Sequence, residues 1–346
     1  MNQSCPLPSF GSDQITLGHG SGGKLTANLL DSGVFSIFDS PYLQERDDTA
    51  TCPLGNESVV ITTDSFVVNP LFFPGGDIGK LAVHGTVNDL AMGGGIPNYL
   101  TLALILEEDF PIAKLHTILQ SIHEACGESG VEIVTGDTKV VEKGKGDQIF
   151  INTTGVGTPS PHAQLGNAYI QKGDAIITSG RVGDHGATIL AQREGLEISG
   201  DLASDTRPLN HIVHGMLEKF GHAIHFLRDP TRGGISSTLN EAATTTKLGI
   251  HIVKDDIPIL PEVKDFSSIL GLDPLYIANE GIFIAFVEAT QAEAIIEHLR
   301  QHPFGKNAAI IGTVIEDHPG VVVLENEIGG RRPLNLLPGE QLPRIC

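Results

Sequence analysis

Short β-branched runs alternate with stretches of helical period along this chain, and that alternation most restricts its fold. The segments SVVITT (58–63), VEIVT (131–135), DQIFINTTGVG (147–157), DAIITS (174–179) and GIFIAFV (281–287) predict strands. Apolar residues at i, i+3, i+4 predict helices over 77–92, 111–127, 186–194, 235–247 and 290–301. Asp77 and Pro111 read as start signals, Gly93–Gly95 and Gly127 as stops. Strands and helices interleaved in this way predict a mixed α/β (α+β) protein. The stretch TPSPHAQLGNAY (158–169) is the expected boundary, giving a first domain over 41–160 and a second over 165–330. A chain of 346 residues suits two domains. Residues 1–40 read as a glycine-rich arm. RRPLNLLPGEQLPRIC (331–346), with three prolines and no amphipathic pattern, reads as a flexible extended tail.

Charge narrows the function. Asp and Glu number 42 against 22 Lys and Arg, a formal net charge of −20. A surface built to read nucleic-acid phosphates or anionic lipid needs the opposite field, so neither nucleic acid nor membrane is expected as a partner. Cys5, Cys52, Cys126 and Cys346 show no pairing rhythm, the start has neither a basic region nor an apolar stretch, and the longest apolar runs are strand-length. The expectation is a soluble cytoplasmic protein with reduced thiols. Glycine is abundant, at 41 residues, without a collagen period.

GHGSGGKLT (18–26) approaches a P-loop in the spacing of Gly18, Gly23 and Lys24, but Leu25 stands where Ser or Thr should hold magnesium. Thr26 comes one residue late, rotated by about 100° on a helix. A cradle of backbone N–H groups used in another way, and an arm with no ligand, remain open beside it. GRVGDHG (180–186) lacks the dinucleotide spacing and is a weak phosphate candidate. HIVH (211–214) and HAIH (222–225) read as ordinary, partly exposed histidines, and Glu107–Glu108 as a solvated turn.

The acids are more informative. Asp64 ends VVITTD, Asp137 follows VEIVTG and Asp229 follows AIHFLR, three carboxylates expected at strand ends where open α/β sheets gather ligands. Asp89, near the carboxyl end of the 77–92 helix, faces the negative end of its dipole, a conflict that a bound cation resolves. Clustered acids repel ATP unless a divalent ion such as Mg²⁺ intervenes. Cys346, the last residue, has a neighbouring carboxylate that raises its thiol pKa, partly offset by Arg344. Its position offers reach, since sixteen extended residues span up to about 50 Å.

Together TTDSFVVNPLFFPGGDIGKLAVHGTVNDLAMGG, VTGDTKVV, SGRVGDHGATIL, RDPTRGG, ANEG and the closing PRIC resemble the carbamoyl dehydratases of hydrogenase maturation. That family lies within the superfamily of aminoimidazole ribonucleotide synthetase and selenophosphate synthetase, and the likeness spans essentially the whole chain. The resemblance implies a two-domain synthetase-like fold and a homodimer in which first-domain strands close a barrel across the interface. A partner carbamoyltransferase would load the Cys346 sulfur, and ATP-dependent dehydration would yield a thiocyanate. The cyanide would pass to the iron of the nickel–iron hydrogenase on a complex of two further maturation proteins. By position it implies Asp48, Asp64, Asp89, Asp137 and Asp229 as metal and phosphate ligands; ERDDTA leaves Asp47 available too, and the D-x-A spacing favours Asp48. Gly22, Gly23, Asn88 and Gly136 join Asp64, Asp89 and Asp137 as nucleotide contacts. Lys139 and Glu280 form the dehydration pair, Glu280 being the better base, since Lys139 needs a lowered pKa to accept a proton at neutral pH. A small-molecule synthetase of the same superfamily and a non-enzymatic cyanide-carrier scaffold are the competing functions.

Overall fold

The computed structural model describes residues 14–31, 37, 40–196, 200–337 and 344–346. Parts of the expected arm (1–13, with Cys5, and 32–36 and 38–39) and 338–343 of the expected tail lie outside the described residues.

The first half contributes β1 (Ala50–Leu54), β2 (Glu57–Phe66), a ribbon of β3 (Phe72–Phe73) and β4 (Gly76–Asp77), β5 (Gly95–Glu107), β6 (Glu132–Val141) and β7 (Ile149–Pro159). Five of these form a sheet in the order β1-β2-β7-β5-β6. Only its β5–β6 step is parallel. A parallel neighbour needs a crossover, and a long helix supplies it. Among the described residues, the helices up to this point include the short α1 (Lys24–Leu29) and α2 (Pro41–Gln44), then α3 (Ile78–Met92) and the crossover α4 (Ile112–Ser129).

Asp77 starts α3 as predicted: its Oδ1 accepts from the backbone N of Gly79 at 2.7 Å and of Lys80 at 3.0 Å. Most of α3 is buried all round, because it lies between two domains. Leu81, Val83 and Val87 join the first core with Phe66, Leu100 and Ile151, while Ala91 and Met92 join a second-domain core with Leu209 and Ile212. Helix α4 continues past the predicted stop at Gly127 and ends on Gly130, whose φ of 72° a residue with a Cβ rarely adopts.

The second half contributes β8 (Ala175–Thr178), β9 (Ile224–Arg228), β10 (Gly249–Val253), β11 (Ile284–Val287), β12 (Ala309–Ile315), β13 (Val322–Glu325) and β14 (Arg331–Pro333). They form one sheet in the order β14-β13-β10-β12-β8-β11-β9. Its helices are α5 (Asp184–Arg193), α6 (Asn210–Phe220), α7 (Gly234–Thr246), α8 (Pro261–Leu270) and α9 (Ala292–Gln301). The strand predicted over 281–287 begins only at Ile284. Before it, Glu280 and Gly281 donate their backbone N–H groups to Asp205 Oδ1 and Oδ2 (3.0 and 3.1 Å), which holds ANEG as a loop. GRVGDHG packs against that loop, and Gly183 N donates to Asn279 Oδ1 at 2.7 Å. A packing role therefore replaces the weak phosphate reading.

Candidate active site

Three acids from three elements meet at the junction of the domains. Asp48 precedes β1, Asp89 lies on α3, and Asp229 follows β9; carboxylate oxygens of all three lie within 4.8 Å of one another. Thr62 Oγ1 is 2.9 Å from both Asp89 Oδ2 and the Asp48 carbonyl. Arg228 Nε pairs with Asp48 Oδ1 at 2.8 Å. Burial pushes the Asp48 carboxyl up to about 6 against the pull of Arg228. Burial and then mutual repulsion raise Asp89 and Asp229 well above the ordinary carboxylate range. Asp229 Oδ2 is buried without a hydrogen-bond partner. A buried cluster of mutually repelling carboxylates, made only of hard oxygen donors, fits a divalent cation such as Mg²⁺.

The acids line a cavity of about 300 Å³ with Asp64, Thr63 and Gly22. Next to it, a cavity of about 120 Å³ surrounds Cys346, walled by Gly23, Ser65, Val67 and Ala278. Thr231, Arg232 and Ser237 line both. Burial, then Glu280, pushes the Cys346 thiol up to about 12. Glu280 is 2% exposed with Oε1 unpartnered, and burial followed by Asp229 and Asp64 raises its pKa well above the usual range. Gly22, at φ +75°, rests on Arg232, where a Cβ would stand 2.9 Å from the arginine Cβ.

Several expected residues lie elsewhere. Asp137 and Lys139 sit within β6, exposed and paired to each other at 2.6 Å, outside both cavities of this chain. Gly136 is exposed on the same strand. A Cβ there would stand 2.1 Å from the Leu102 carbonyl, so sheet geometry accounts for this glycine without a phosphate. Asn88, expected at the nucleotide, instead spans the domains. Its Nδ2 donates to the carbonyls of Arg207 (3.1 Å) and Glu280 (3.3 Å), and its Oδ1 accepts from Leu209 N (2.7 Å). Asp64 and Asp137 are inside their strands, and only Asp229 directly follows one. The strand-end argument therefore fails for two of three acids, because β2 runs on to Phe66 and β6 to Val141, past the acid in each case. His225, expected to be partly exposed, is buried against Asp174 at 2.7 Å.

Sequence reasoning assigned no role to Arg232, Arg228, His185 or Arg193. Arg232 is held charged first by Cys346 and further by Asp64, Asp89 and Glu280, in spite of its burial. RDPTRGG carried both Arg228 and Arg232 in view, two arginines flanking an acid in a tight loop.

The two-sheet fold with acids at the domain junction defines an AIR synthase related protein. The profile of that family's N-terminal domain matches residues 46–158, and that of its C-terminal domain matches 171–325. Carbamoyl dehydratase HypE of Azotobacter vinelandii is 49% identical over 332 residues, covering 96% of this chain and 97% of that protein. The solved HypE–HypF complex contains a chain that superposes with a TM-score of 0.85 at 42% identity, covering 89% of this chain and 99% of that one. HypE in complex with ATP superposes with a TM-score of 0.81 at 44% identity over 96% of this chain and 100% of that one. The chain belongs to the HypE carbamoyl dehydratase family.

Proposed function

We propose that the chain carries a carbamoyl group on the Cys346 sulfur and, using ATP, dehydrates it to a thiocyanate whose cyanide serves the iron of a nickel–iron hydrogenase. One observation carries this reading: the cavity around the Cys346 thiol and the cavity of the acid cluster adjoin across Thr231 and Arg232. A small-molecule synthetase has no use for a thiol in that place.

ATP fits the larger cavity, with its γ-phosphate towards the shared wall. Asp48, Asp89 and Asp229 would hold the Mg²⁺, and Asp64 stands beside them. When bound, the ion neutralises triphosphate charge and the acids that raise Glu280. The carboxamide oxygen attacks the γ-phosphorus and ADP leaves. Glu280 takes one proton from the amide nitrogen, the C–O bond breaks, and the second proton leaves with the departing phosphate as hydrogen phosphate, giving S–C≡N. Arg232 supplies a fixed positive charge where the oxygen is phosphorylated. The seated thiol, with its raised pKa, is a poor nucleophile. Loading by a partner carbamoyltransferase therefore takes place with the thiol out of this seat, a partner in keeping with the HypE–HypF complex. Delivery to the iron-carrying complex of two maturation proteins follows from the same reading.

Asp137 and Lys139 enter through a second copy. Strand β6 is a sheet edge with Ile133, Val134 and Val140 exposed, a template for pairing. In the homodimer we assign Lys139 to the partner's site, where it steadies the phosphorylated carboxamide. No described helix is long and apolar enough to cross a membrane, and we read the protein as cytoplasmic.

Cys346→Ala tests the assignment. ATP turnover stimulated by the carbamoyltransferase should vanish in this variant; turnover at the normal rate would return the protein to the small-molecule synthetases.

A further inference from the structure

The last three residues are held by far more than a tether needs. Val67 N donates to the Cys346 carbonyl at 3.0 Å and Asn69 N to the Arg344 carbonyl at 3.3 Å, so alternate residues pair as in an added strand. His185 Nε2 donates to the Ile345 carbonyl at 2.9 Å, while its Nδ1 accepts from Ser204 Oγ at 2.7 Å, which sets the tautomer. Arg193 Nη2 bridges the carbonyls of Asn69 and Arg344, both at 2.8 Å. All three carbonyls of the segment are thus satisfied.

Two side chains are read as well. The Arg344 guanidinium donates from Nε to the Val67 carbonyl at 3.0 Å and pairs with Asp147, just before β7. Ile345 is 5% exposed and packs in the core with Phe66, Ile189 and Ala278. A covalent tether alone would raise local concentration without any of these contacts. Here backbone addition supplies affinity and two pockets supply sequence preference, the division of labour of a peptide-binding site.

We propose that the groove between residues 67–69, His185 and Arg193 is a peptide-binding site specific for an extended Arg-Ile-Cys end, which accepts that segment in trans as well as in cis. Resting on the dehydration reading, it makes a detached S-carbamoyl peptide a substrate. Its carboxamide oxygen leaves on the γ-phosphate of ATP, its nitrogen gives one proton to Glu280 and the other to the departing phosphate, and the products are peptide thiocyanate, ADP and hydrogen phosphate.

The full chain carrying Arg344→Ala, Ile345→Asp and Cys346→Ala, with both side-chain pockets of its own end disabled, is mixed with MgATP and the synthetic peptide Gln-Leu-Pro-Arg-Ile-Cys, S-carbamoylated with cyanate. The peptide should lose one water by mass. Peptides with Ala for Arg344 or Asp for Ile345 should react about tenfold more slowly or worse, the loss of one charge-assisted hydrogen bond or one buried side chain. Equal conversion of all three peptides, or none of the first, overturns the proposal. The wild-type chain carbamoylated on Cys346 runs alongside. If it too keeps its water, the dehydration reading falls; if it alone reacts, only the trans site falls.

Discussion

At the residue scale, chemistry was legible as residue type and motif, less so as position. Asp89 and Asp229 could be named from the chain because acids beside tight loops and helix ends stand out, Asp48 came through the family resemblance, and the fold brings these three together. Arg232 went unassigned because an arginine in a turn looks the same whether it faces solvent or, as here, a half-buried thiol and carboxylates. Glu280→Gln should leave carbamoylation intact and abolish water loss, read by intact mass; water loss at the normal rate would take the base role from Glu280. The acid cluster gives a second prediction. Mg²⁺ that binds only the folded chain stabilises it by about 2.7 kcal/mol at a hundredfold excess over Kd. Thermal unfolding should therefore shift upward with Mg²⁺ in the wild type and not in Asp89→Asn. Because burial and repulsion raise these carboxyl pKa values, the ion competes with protons, and the shift should grow as pH rises from 5 to about 8. A shift equal in both proteins would mean the ion binds elsewhere.

Elements were legible where a local signal decided them. Asp77 announced α3 and its side chain caps it. The amphipathic α6 and α8 were not assigned in advance, and the start of the predicted strand at 281–283 is kept out of β11 by Asp205, a residue remote in sequence that holds the backbone of Glu280 and Gly281. Helix α3 makes its own pH prediction. Burial, then Lys80, lowers His84 to about 3. It stays neutral in the fold while the unfolded chain protonates it near 6.5, so stability is full above that value and falls as pH drops towards 3. The linked loss is about 4 kcal/mol. Denaturant unfolding of His84→Leu should lose this part of the slope; parallel profiles for both proteins would contradict it. Strand β6 makes another. Lys139→Ala and Glu280→Gln should each be inactive alone. Co-expressed, they should recover about a quarter of wild-type activity, since half of randomly paired dimers hold one intact site. No recovery would place Lys139 in its own chain's chemistry or in none.

At the scale of the whole molecule, the site belongs to neither domain. Asp89 and Ser65 come from the first, Asp229, Arg232 and Glu280 from the second, and Asn88 fastens the two by bonding the backbone of Arg207, Leu209 and Glu280. Such a junction is invisible to period and propensity, which see one segment at a time; the family resemblance made it readable by supplying pairings that the chain does not state. The net charge of −20 fits the same picture: the acids that exclude a nucleic-acid surface include those poised for a metal-bound nucleotide. Everything turns on the thiol seated beside the acid cluster. The direct measurement is the intact mass of the chain after incubation with the carbamoyltransferase, carbamoyl phosphate and MgATP. A carbamoyl adduct on Cys346 that then loses one water is the predicted result, and an adduct that persists unchanged with ATP present would contradict the account.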